Sequence, residues 1–81
     1  MKAQVIVEHG LYPLGGTVDG VDQMNEHHDP KNELKGGDKV VIAKREEAVV
    51  TTWGGHYNAA KMKVVEIVGK NGWYLASGFH S

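Results

Sequence analysis

The chain has 81 residues, a formal net charge of −1 and no cysteine. That length fits one small domain with a modest core. The missing cysteines exclude disulfides, thiolate nucleophiles and Cys-ligated zinc or iron–sulfur centres.

Hydrophobic residues make up 41% of the chain and charged residues 23%, a globular balance that argues against general disorder. Eleven valines and three isoleucines stand against four leucines, which favours strands over helices. Eleven glycines supply the positive-φ positions that tight turns need. The small net charge hides an asymmetry. Residues 1–30 carry Lys2 against Glu8, Asp19, Asp22, Glu26 and Asp29, a net of −4. Residues 31–63 carry seven bases and four acids, a net of +3. A mixed, solvated surface is the expected meaning of that division. Met1–His9 lacks the apolar segment of a signal peptide, and no aliphatic run approaches a membrane span. With no cysteine to oxidise, the cytoplasm is the expected location.

In chain order, Ala3–Glu8 reads as a first strand and His9–Gly16 as a loop broken by glycines and Pro13. Thr17–Val21 is either a short strand or is interrupted by a turn at Asp19-Gly20. Residues 22–37 form a long, acidic, His-containing loop, with room for a helical turn around Asp22–His27. Asp38–Lys44 is a strand, Arg45-Glu46-Glu47 a charged turn, and Ala48–Trp53 the next strand. Gly54-Gly55 breaks it, and His56–Ala60 is a short connection. Lys61–Val68 returns as a strand. Lys70-Asn71-Gly72 contains the Asn-Gly hairpin signal, which pairs Trp73–Ser77 back on that strand. Consecutive apolar pairs such as Val49-Val50, Val64-Val65 and Ile67-Val68 mean either burial on both faces of a strand or a small, strongly bent barrel whose corners switch faces. Five or six short strands in this length suit a small barrel better than a sandwich.

Two segments resemble a known family. Leu34-Lys35-Gly36-Gly37-Asp38-Lys39-Val40-Val41-Ile42 is similar to the opening of a bacterial SH3-like domain, and Gly69–Tyr74 (G-K-N-G-W-Y) to the hairpin near its end. Phe79 stands about where the final aromatic of such domains lies. Nothing in Met1–Glu33 matches the family's usual opening, and its middle-strand tryptophan is displaced here to Trp53. The resemblance implies an all-β, SH3-like barrel of five or six strands. It also implies binding of peptides, cell-wall peptides or other proteins, with no catalytic residue.

Side chains that carry chemistry are sparse. Asp22, Glu26, His27, His28 and Asp29 are metal-capable, but adjacent histidines point to opposite sides of a regular backbone and the H-E-x-x-H spacing is absent. A solvated loop is the better reading, and a His27/His28 metal site ranks third among the functions considered. Ser77 and Ser81 lie in no nucleophile elbow, and no pattern links His9, His56 and His80 as bases. Gly15-Gly16 and Gly36-Gly37 lack the phosphate-cradling pattern. No enzyme activity, cofactor or metal is expected. Lys44, Arg45, Lys61 and Lys63, close in sequence to Trp53 and Tyr57, form the nucleic-acid alternative. A sequence pI near 6.5 and the acidic first third oppose it.

Aromatics on loops point to a protein or peptide partner instead, because they bury much area with few rotors to freeze. The candidate partner-binding residues are Tyr12, Trp53, His56, Tyr57 and Tyr74, with Trp73 favoured as a core anchor. The chain begins at Met and shows no tail or second domain. That format suggests a small stand-alone regulator or inhibitor of a larger protein machine, as phage-encoded proteins acting on host proteins often are.

Overall fold

The structure, a computed structural model, describes residues 3–23, 29–52 and 58–80. Its strands are β1 (Ala3–Val7), β2 (Thr17–Val18), β3 (Val21–Asp22), β4 (Lys39–Thr52), β5 (Asn58–Ile67), β6 (Tyr74–Leu75) and β7 (Phe79–His80). Two 3-10 turns, Pro30–Asn32 and Ala76–Gly78, complete the described elements. The protein is all-β, as its β-branched composition implies. Every strand pair is antiparallel. The ladder runs β3-β2-β4-β1-β7, with β5 on β4 and β6 on β5. No pairing closes it into a ring among the described residues, so at the level of the hydrogen-bond ladder this is an open sheet. No described helix is long and apolar enough to cross a membrane.

The long β4–β5 hairpin is the spine. Arg45-Glu46-Glu47, expected as a charged turn, is instead the middle of β4 and pairs with Val65, Val64 and Lys63. Charge alone does not break a strand. Arg45 and Glu47 occupy exposed positions, and the register sets Glu47 opposite Lys63 and Lys44 opposite Glu66. Pairing between the two strands extends to Thr52 and Asn58, so Asn58–Ala60 belongs to β5 rather than to a connection. Trp53–Tyr57, where the reversal was placed by Gly54-Gly55, lies outside the described residues.

Two apolar clusters sit on this spine, on opposite faces. Val5, Val7, Leu34, Ile42, Val65, Ile67 and Tyr74 form the first; Val18, Ala48, Val50 and Val64 form the second. Val64 and Val65 are adjacent, and successive strand residues point to opposite faces. The consecutive apolar pair on β5 is therefore the place where burial passes from one face to the other. A β-bulge at Ala43, between the Ile42↔Ile67 and Lys44↔Glu66 pairs, falls close to the same level. A bulge bends its strand and increases local twist, which lets different chain segments cover the two ends. β1 and Leu34 cover the first cluster, while β2, Leu14 and Trp73 cover the second.

The connections follow from local chemistry. Asp19 (φ 49) and Gly20 (φ 80) lie between the paired Val18 and Val21, which makes a two-residue type I′ hairpin. Asp19 also docks this hairpin on β4: its N–H donates to the Val49 carbonyl at 2.8 Å, and its Oδ1 accepts from the Val49 N–H at 2.7 Å. The β5–β6 hairpin forms, but of the expected Trp73–Ser77 strand only Tyr74–Leu75 pairs with β5, and the chain reverses at Val68-Gly69 rather than Asn71-Gly72. Lys70 N–H donates to the Ile67 carbonyl at 3.1 Å, and Gly69 takes φ 82. The Asn71 N–H is engaged elsewhere, donating to Asn32 Oδ1 at 3.2 Å.

Where the long loop is described from Asp29 onward, it is tied down. Asp29 Oδ1 accepts from the Lys31 N–H and caps the first 3-10 turn. Asn32 is buried, and its carbonyl accepts from the Tyr74 hydroxyl. Lys70 Nζ donates to the Lys31 carbonyl at 2.8 Å. Leu34 then enters the first cluster and exchanges two backbone hydrogen bonds with Leu11. The helical turn expected around Asp22–His27 falls largely on residues 24–28, outside the described residues.

A one-residue insertion separates a strand from a turn at Arg45–Glu47. Inserting an alanine between Glu46 and Glu47 sends Ala48 and Val50 to the opposite face. The expected result is loss of the cooperative thermal transition by circular dichroism. An unchanged transition would mean that this segment turns after all.

Candidate functional site

The expected partner-binding residues separate in space. Tyr12 is 47% exposed on the loop after β1, where buried Pro13 and half-buried Leu11 hold the flanking backbone. It presents its ring outward, as a loop aromatic for a partner would. Tyr74 does not: it is wholly buried, its ring packs edge-on to Phe79 at 6.3 Å, and its hydroxyl is bonded to Asn32. Being apolar in body and polar at one tip, it suits a core position that offers a carbonyl. It therefore offers no surface to a partner. Trp73 packs half-buried against the second cluster, beneath the Lys44 ammonium 5.9 Å from its ring centroid. Trp53, His56 and Tyr57 lie outside the described residues, as do Glu26, His27 and His28. Among the described residues, no three His, Cys, Asp or Glu side chains gather where a metal ion would sit.

The bases of the hairpin are interleaved with acids. Lys44 Nζ lies 2.9 Å from Glu46 Oε1. The hydrogen bond and charge of Glu46, helped by the charge of Glu66, hold the Lys44 ammonium above the ordinary lysine value. Lys61 Nζ stands 4.0 Å from Glu47 Oε1. Both pairs are exposed, so they contribute little to stability. Their effect on recognition is larger: alternating signs along the hairpin give no continuous basic track for a phosphate backbone.

What sequence reasoning missed is an edge. β5 pairs with β4 along its whole length, but on its other side β6 reaches only Val64 and Val65. After Leu75 the chain turns away as the Ala76–Gly78 3-10 turn. There the Gly78 carbonyl accepts from the Glu8 N–H and Phe79 joins β1. Gly78 gives the crossing its room: a Cβ there would meet the Leu11 side chain, which would have to shift. From Asn58 to Lys63 the lane beside β5 holds no strand among the described residues. Alternate residues of an antiparallel strand aim both N–H and C=O away from their partner, so this lane presents main-chain donors and acceptors. Ala59, Ala60, Lys61 and Lys63 are exposed along it.

Two open grooves adjoin the edge. One of about 240 Å³ has Val64, Val65 and Ala76 among its walls, with Arg45, Glu46, Glu47 and Lys63 around them. The other, about 520 Å³, is lined by Met62, Lys63, Leu75, Ala76 and Ser77. Lys63 and Ala76 belong to both. The only sequence trace of this site is the alternation Ala59-Lys61-Lys63, which reads equally well as any solvated strand face. Comparison with protein-family models, with curated proteins and with solved structures finds no match to this chain.

The two tyrosines make the distinction between core and surface measurable. Tyr74→Phe leaves the Asn32 carbonyl without its hydroxyl donor and should cost about 1–3 kcal/mol in urea denaturation. Tyr12→Phe should leave stability unchanged to within about 0.5 kcal/mol. Equal effects would contradict the assignment of Tyr74 to the core.

Proposed function

We propose that the chain is a non-catalytic protein- or peptide-binding module, acting as a small regulator or inhibitor of a larger protein assembly. The observation that carries this reading is the β5 edge from Asn58 to Lys63, which no strand among the described residues pairs and which grooves with apolar walls border. An extended segment of a partner can add to such an edge as a strand, with main-chain hydrogen bonds for affinity and side-chain contacts for specificity. Tyr12, exposed on a loop pinned by Leu11 and Pro13, is a second candidate contact.

An SH3-like arrangement for Leu34–Phe79 belongs to the same proposal. In its favour, the Leu34–Ile42 motif leads into the first half of β4, Gly69–Tyr74 joins β5 to β6, and Phe79 opens β7 beside β1. The competing nucleic-acid reading draws on Lys44, Arg45, Lys61 and Lys63. The ion pairs Lys44–Glu46 and Lys61–Glu47 weigh against it.

Capture on the immobilised 81-residue protein, with and without nuclease and across a salt series, discriminates the two. The binding-module reading predicts a nuclease-resistant protein partner that survives a rise from 50 to 200 mM salt, a range over which a backbone-neutralising nucleic-acid binder loses about 10³–10⁵ in affinity. Capture abolished by nuclease or by that salt step would overturn it.

A further inference from the structure

We infer that the β5 edge selects an extended segment carrying carboxylates at alternating positions, i and i+2, with an apolar residue between them. This rests on the binding-module reading and specifies its ligand. The lane, which holds no strand among the described residues, continues the line of β6, so an added strand lies beside Lys63, Met62 and Lys61 in turn. Strand residues alternate faces, and cross-strand partners share one. Residues opposite Lys61 and Lys63 therefore stand on the exposed face that those lysines occupy. The residue between them, opposite Met62, stands on the other face, where Met62 and Leu75 help line the 520 Å³ groove.

Charge decides the identity of the outer pair. Lys63 has no ion pair among the described residues, because Glu47, its cross-strand neighbour, stands within reach of Lys61 instead. The Lys61–Glu47 pair is itself loose, at 4.0 Å with both side chains more than half exposed. Two ammonium groups on one side of an open edge repel a basic strand and accept an acidic one. The same lysines oppose pairing of two β5 edges, since a second copy would bring its own Lys61 and Lys63 to the lane; edge lysines commonly serve that purpose. The occupant favoured by the geometry is thus an acidic, alternating segment of another protein rather than a second copy.

The test uses the full 81-residue protein, ¹⁵N-labelled, and two capped heptapeptides, T-T-E-V-E-T-T and T-T-K-V-K-T-T. The acidic peptide should shift and protect the amides between Ala59 and Lys63, and should bind about tenfold more tightly than the basic one, as two rim charge pairs allow. The K61E/K63E variant should reverse that preference, and K61Q/K63Q should abolish it. Dispersed amide spectra of both variants report that they are folded. Equal binding of the two peptides, or shifts confined to residues away from β5, would overturn the inference. So would protection of the β5 edge that rises with protein concentration in the absence of peptide, which would seat a second copy there. If the acidic peptide leaves the edge untouched while a nuclease-resistant, salt-resistant protein is still captured, the ligand assignment fails and the binding-module reading stands. If both fail, the functional reading falls with it.

Discussion

Val64 and Val65, side by side on β5, are buried in different clusters on opposite faces of one hairpin. Most of the architecture answers to that demand. The chain on either side of the spine has to supply two covers. β1, Leu34, Tyr74 and Phe79 serve the first cluster, and β2, Leu14 and Trp73 serve the second. β6 can pair for only two residues before the chain must turn at Ala76–Gly78 and return to β1. That early departure leaves the lane beside Asn58–Lys63 without a strand among the described residues. A small domain has little apolar surface to spare, and this one divides it between two faces at the expense of a complete edge.

Polar contacts fix what the apolar clusters leave loose. The Tyr74 hydroxyl, the Asn71 N–H and the Lys70 ammonium all bind the segment Lys31–Asn32. Those contacts draw a polar stretch of chain against the β5–β6 hairpin and deliver Leu34 to the core. Asp19 plays a matching part at the other end, bonding the β2–β3 hairpin to Val49 through both its backbone and its carboxylate. Buried Gln23 and Asn32 both have partners: the Gln23 side chain donates to the Val21 carbonyl, and Asn32 accepts from Asn71 and Tyr74.

Much of this was legible in the residues. The β-branched composition announced the strands, Asp19-Gly20 allowed for a turn, and the doubled valines left burial on both faces as one of two readings. The Arg45–Glu47 segment misled because its charges suggest a turn, whereas three cross-strand partners on β5 hold it extended. Asn71-Gly72 misled in a different way: its local turn preference lost to a distant acceptor, Asn32 Oδ1. Tyr74 looked like part of an aromatic loop because nothing local announces the carbonyl that receives its hydroxyl. The candidate edge was the least legible feature. Which side of a strand lacks a neighbour depends on where other segments go, and no periodicity within Asn58–Lys63 records it.

Recognition through β5 depends on that lane being open in solution. Amide hydrogen exchange of the free protein, resolved residue by residue, reads it directly. Alternate amides between Ala59 and Lys63, aimed away from β4, should exchange rapidly, while those bonded to β4 and the amides of Val64 to Ile67 stay protected. Uniform protection from Ala59 to Ile67 at all protein concentrations would show that another part of the chain already fills the lane, and would contradict the central claim.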